Sequence, residues 1–126
     1  LIVRMLDAIK NNNKVFEIWG SGKPKREWIF AEDVAKIVEL SIKREKLLNN
    51  FKIINVAQNK SYSINYLASK IKKILCYKGK LKNNKNFPDG ALLKQLDNKL
   101  FKNEYKGFKF SNFEKALKQT INYYKS

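Results

Sequence analysis

The sequence predicts an α/β fold in which a few short parallel strands alternate with about four helices. Three observations predict it. Apolar residues recur at three- and four-residue spacing over 34–42, 64–75 and 113–124, the period of an amphipathic helix. Short apolar, β-branched and aromatic runs at Val15–Ile18, Trp28–Phe30 and Phe51–Ala57 read as strands. Glycine, proline and asparagine clusters mark the boundaries between them. At 126 residues the chain is large enough for one domain, 1–126, with a modest core.

Each element has its own signal. Leu1 to Lys10 reads as the tail of a helix with Leu1, Met5, Leu6 and Ile9 on one side, and Asn11-Asn12-Asn13 ends it. Val15 to Ile18 is a strand that delivers Trp19 into a loop made by Gly20, Gly22 and Pro24. Trp28-Ile29-Phe30 follows as a short buried strand, and Lys52 to Ala57 as its parallel partner. Glu32 and Asp33 suit a helix N-terminus, and Asp33 reads as a cap of the helix Val34 to Lys43. Val34, Ile37, Val38, Ser41 and Ile42 form its stripe.

Past the polar turn Gln58-Asn59-Lys60, Ser63 is the expected N-cap of a helix from Ile64 to Leu75. Gly79-Lys80-Leu81 reads as an edge strand at best, and Asn83 to Gly90 as loop closed by the turn Pro88-Asp89-Gly90. Asp97 is expected to cap a short helix through Phe101. Ser111-Asn112-Phe113-Glu114 reads as a capping box that opens the last helix, Phe113 to Tyr124.

Composition bounds the chemistry. With no histidine, imidazole catalysis and His-ligated metals are excluded from this chain. A single cysteine, Cys76, excludes an intramolecular disulfide and fits a reducing, cytoplasmic setting. No apolar run is long enough to span a bilayer, no signal peptide is recognisable, and a first residue other than Met fits a segment of something longer. The net charge of +16 suggests nucleic acid, but all of the 27 basic residues except Arg4, Arg26 and Arg44 are lysine. They are spread along the whole chain, whereas base readers favour the arginine fork. Solvated faces are the better reading, with neither nucleic acid nor membrane as partner.

Tyr66 and Lys70 match the spacing Tyr-x-x-x-Lys but read as neighbours on a helix face. Gly20-Ser21-Gly22 lacks the third glycine and helix start of a dinucleotide loop, and no P-loop is present. No catalytic, cofactor-binding or metal-binding residue is therefore assigned within this segment.

Longer motifs carry a resemblance. Trp19-Gly20-Ser21-Gly22-Lys23-Pro24-Lys25-Arg26-Glu27-Trp28-Ile29 through Asp33 resembles the segment W-G-S-G-x-P-x-R-E-F-(L or I)-x-x-x-D of GDP-L-fucose synthases, in the extended short-chain dehydrogenase/reductase family. Pro88-Asp89-Gly90 through Lys94 and Asp97 resembles that family's P-D-G segment. Asn55-Val56-Ala57, Ser63 to Ala68, Tyr77 to Lys80 and Phe113 to Leu117 resemble further family segments in the right order.

The resemblance covers nearly the whole chain, but only the C-terminal, substrate-binding portion of an extended Rossmann-type epimerase. It implies that the Rossmann nucleotide-binding half, the Ser and Tyr-x-x-x-Lys reduction site and the epimerising Cys and His lie upstream of Leu1. It implies that Arg26 and Lys94 hold the diphosphate of a GDP-sugar and that Trp19 helps line the pocket. A planar Arg fork with a Lys point charge suits that dianion. Cys76 falls where the family has glycine and reads as a small buried residue.

The complete enzyme implied would epimerise a GDP-4-keto-6-deoxyhexose and reduce it with NADP(H), for surface-polysaccharide synthesis, and a homodimer is compatible with it. The implied partners of this segment are the GDP-sugar and an N-terminal Rossmann half, if that half is encoded separately. Alone, the segment is expected to bind no NADP(H) and to be inactive. Departures from the pattern bear on the substrate: Leu92-Leu93 stand before Lys94, Ala57 replaces glycine and Glu32 replaces aspartate. A related enzyme of a GDP-deoxyheptose is one alternative. A small basic nucleic-acid-binding domain is another, favoured by DNA binding that survives high salt.

Overall fold

Val15–Trp19 alternates outward and inward, burying Phe16 and Ile18 while Val15, Glu17 and Trp19 face out, as a strand covered on one side must. The computed structural model in which this is seen describes residues 1–44 and 53–125. In chain order its elements are α1 (Ile2–Lys10), β1 (Val15–Trp19), β2 (Lys25–Glu27), α2 (Ala31–Ile42), β3 (Ser61–Ser63), α3 (Ile64–Ile74), β4 (Lys80–Asn84), β5 (Leu93–Lys94), α4 (Lys99–Glu104) and α5 (Phe113–Tyr123). The fold is α/β, and the described residues hold five helices where about four were expected.

Among the described residues, two small sheets organise it. β1 pairs in parallel with β4, from Val15 opposite Lys80 to Trp19 opposite Asn84. The other sheet has the order β3-β2-β5, with β3 antiparallel and β5 parallel to the central β2. Asn83 and Asn84, expected in a loop, extend β4 because β1 offers them a parallel edge. β5 carries no local signal and exists through β2.

The main core joins Met5 and Ala8 of α1, Phe16 and Ile18 of β1, Leu67, Ala68 and Ile71 of α3, Tyr77, and Leu117 and Ile121 of α5. The α1 stripe runs through Leu1, Met5 and Ala8, so Ile9, a further step around the helix, is partly exposed. A second cluster gathers Ile37, Phe101 and Tyr105, with Leu40, Ile54, Val56, Phe108 and Phe110 against it. Of the expected α2 stripe only Ile37 is buried, whereas Val34, Val38 and Ile42 are 40%, 52% and 65% exposed.

Several sequence expectations are corrected. Trp28–Phe30 is not a strand: β2 ends at Glu27, the Trp28 carbonyl accepts Gln58 Nε2 at 3.2 Å, and Phe30 in extended backbone is the N-cap of α2. Residues 53–57 form no ladder either, because no described strand flanks them, and 51 and 52 lie outside the described residues. An apolar run signals burial, whereas a strand also needs an edge to pair with.

Asp33 does not cap α2. Its buried carboxylate accepts the Ser111 N–H and Oγ–H, both at 2.8 Å. With Ser111 so engaged, Asn112 is the cap of α5, accepting Glu114 N–H at 3.0 Å and Lys115 N–H at 3.1 Å. Asp97 accepts Lys99 N–H at 2.7 Å, but Asn98 is the N-cap of α4, which runs on to Glu104. Cys76 is exposed rather than buried. It takes φ 53° just past the α3 C-cap Leu75, the left-handed conformation for which glycine is favoured. No helix among the described residues is long and apolar enough to cross a membrane.

Candidate functional site

The two loops singled out in the sequence are fastened to each other. Gly20 and Gly22 take φ 77° and 68°, folding the chain back after Trp19. Ser21 then donates its N–H to Asp89 Oδ1 at 2.8 Å and its hydroxyl to Asp89 Oδ2 at 2.5 Å. These two donors, the hydroxyl first, hold the Asp89 carboxyl below the usual carboxylate range, and Lys23 nearby adds to it. Asn65 supports the loop from below, with its Nδ2 donating to Ser21 O at 3.2 Å and its Oδ1 accepting Asn83 Nδ2 at 3.0 Å.

This fastening lets β5 run beside β2. Lys25 N–H donates to Leu92 O at 2.8 Å, and Arg26 and Lys94 become register partners. Directly opposite residues of paired strands share a sheet face, so the two cations stand side by side. Arg26 Nη1 donates to Lys25 O and Ala91 O, both at 2.7 Å, which ties the guanidinium to the Pro88–Ala91 turn. A cavity of about 590 Å³ opens here, lined by both cations with Glu27, Ile29, Val56, Leu93, Gln95 and Leu96. Two like charges opposite each other repel, and a bound anion offsets that cost.

Trp19 does not line this cavity. It lies at the end of β1, 57% exposed and stacked on Phe87 with ring centroids 4.8 Å apart. Sequence reasoning passed over Arg4, whose guanidinium lies 4.5 Å from the Trp19 ring centroid and donates to Glu17 O at 2.9 Å. No motif contains Arg4. The only available signal was the outward alternation of Glu17 and Trp19 on β1.

Other groups are accounted for by structure. Tyr66 stacks on Tyr62 at 4.9 Å, and Lys70 pairs with Glu114 while lying 5.2 Å from the Tyr66 ring. That pairing raises the Lys70 ammonium above its ordinary range and lowers the Glu114 carboxyl. The Gly20-Ser21-Gly22 loop is not built as a dinucleotide loop. It runs into β2 rather than into a helix N-terminus, and Asp89 takes its Ser21 N–H.

The order of elements agrees with the fold of known proteins to which the chain is similar. Residues 1–57 match the NAD dependent epimerase/dehydratase family. The chain belongs with that family, and within it is similar to the C-terminal part of GDP-L-fucose synthase-like members. It is 32% identical to the GDP-L-colitose synthase of Yersinia pseudotuberculosis over 98% of its own length and 39% of that protein's. It is 33% identical to the GDP-L-fucose synthase of Escherichia coli, over 77% of this chain and 32% of that one. The GDP-L-fucose synthetase of Naegleria fowleri, solved with NADP, shares the fold at TM-score 0.87 and 23% identity, over 98% of this chain and 38% of that one. The chain thus spans about two fifths or less of these relatives.

Proposed function

We propose that this chain is the GDP-sugar-binding portion of an NADP(H)-dependent epimerase/reductase, acting on a GDP-4-keto-6-deoxyhexose. The observation that carries it is the pairing of Arg26 with Lys94 across β2 and β5, on two mutually fastened loops and beside a cavity. In this reading the two cations clamp the diphosphate, Arg26 as a planar fork and Lys94 as a point charge. Trp19, stacked on Phe87 under Arg4, walls a neighbouring part of the sugar-nucleotide pocket. In this reading hydride transfer and epimerisation belong to the nucleotide-binding portion of the complete enzyme.

The same reading gives the exposed apolar residues an occupant. Val34, Val38 and Ile42 on α2, and Ile53, which is 91% exposed, are to be covered by the NADP-binding portion. Residues 53–57, apolar and unladdered here, are to meet a strand of it.

The test is titration of GDP, and separately of NADPH, into the 126-residue chain. Binding of GDP is expected, and Arg26→Ala or Lys94→Ala should weaken it roughly tenfold or more, the loss of one charged contact. NADPH is expected to give no binding. GDP affinity unchanged in both variants would show two ordinary surface charges.

A further inference from the structure

The β2–β5 ladder is two residues long and stops at the pair Arg26–Lys94. A ladder so short does not fix a lysine. The next residue of β2 is Glu27, on the central strand of the sheet, with β3 on one side and β5 on the other. Its Oε2 accepts Leu96 N–H at 3.3 Å, continuing the β2–β5 connection where the backbone ladder has ended. Its Oε1 accepts Asn59 N–H at 2.5 Å, on the segment that leads into β3. Asn59 takes φ 59°, a left-handed conformation asparagine tolerates, and its Oδ1 accepts Gln95 Nε2. One carboxylate therefore ties three segments, each of which lends a residue to the lining of the cavity, Arg26, Val56 and Lys94 among them.

We propose that Glu27 is a positioning residue for the anion site, a clasp that holds Lys94 alongside Arg26. It rests on the reading that those two cations bind a diphosphate. The clasp and plain electrostatics give opposite signs. A carboxylate beside two cations weakens an anion's attraction, so as a bare charge its removal would tighten GDP binding. As a clasp, its removal frees Lys94 and loosens binding.

Glutamine preserves shape but leaves one accepting oxygen for two N–H donors. In GDP titrations of the full chain, Glu27→Gln is expected to raise the dissociation constant roughly tenfold, about as much as Lys94→Ala. The double variant should be no weaker than Lys94→Ala alone, because the clasp acts through Lys94. Amide exchange of Leu96 and Asn59 in the unliganded Glu27→Gln chain should rise, which checks the clasp without any ligand. Unchanged or tighter GDP binding in Glu27→Gln, additive losses in the double variant, or unaltered exchange at both amides each overturn the proposal. If Lys94→Ala itself leaves GDP affinity unchanged, the diphosphate reading fails and the positioning role falls with it.

Discussion

Gly22→Ala tests whether the organising loop is as rigidly supported as its hydrogen bonds imply. Gly22 has φ 68°, where an L side chain costs about 1–2 kcal/mol. A Cβ built there would lie 1.9 Å from Asn65 Oδ1 and 2.4 Å from Asn65 Cγ, so the Asn65 side chain must leave. That side chain is a post rather than a free end. Its departure breaks Asn65 Nδ2 to Ser21 O at 3.2 Å and Asn83 Nδ2 to Asn65 Oδ1 at 3.0 Å. Two neutral hydrogen bonds at about 0.5–1.5 kcal/mol each, added to the backbone strain, give roughly 2–5 kcal/mol. Gly107→Ala is the control. Gly107 has φ 84°, and a Cβ added to it would meet no atom within 4 Å, so only the same strain of about 1–2 kcal/mol applies. Urea unfolding followed by circular dichroism measures both. Gly22→Ala is expected to lose at least 1 kcal/mol more, to about the precision of the method. In an Asn65→Ala background the excess should vanish, because the post is already gone. Equal losses for the two glycine variants, or an excess that persists without Asn65, would refute the reasoning.

Two further outcomes follow from named contacts. Asp33→Ala leaves the partly buried Ser111 N–H and hydroxyl without their acceptor, so a loss of about 1–3 kcal/mol is expected in the same unfolding assay; no loss would mean Asp33 is not the link between α2 and the start of α5. Asp89 sets a pH dependence. Its folded carboxyl is held below the ordinary value, so its contribution is present above the unfolded value and is lost as pH falls through the depressed folded one. Protection of the Ser21 amide from exchange should therefore persist through the ordinary carboxylate range and fail only on further acidification, and failure already at the ordinary value would show that Ser21 does not hold the carboxylate.

What was legible in the sequence divides by distance along the chain. The helix α3 and its Ser63 cap are fixed within one or two turns, and both are found as read, with Leu67, Ala68 and Ile71 on the buried side. Ser111 looked like the cap of α5 by the same local rule. Asp33 takes that hydroxyl across 78 positions, and the cap passes to Asn112. The strand expected at 28–30 sits at Lys25–Glu27 instead, because the apolar run recorded burial while β3 and β5 decided pairing. Arg26 and Lys94 could not have been joined by any local pattern, since Leu93–Lys94 is a strand only by virtue of β2. The resemblance named both residues, and the backbone register explains how they come to share one face. The same resemblance named Trp19, which lies on the other sheet, outside the cavity of the two cations. Glu27 shows the limit most clearly. It stands in the motif beside Arg26, yet its role depends on N–H groups 32 and 69 positions away. A motif marks where binding groups stand, and only the fold tells which neighbour holds them there.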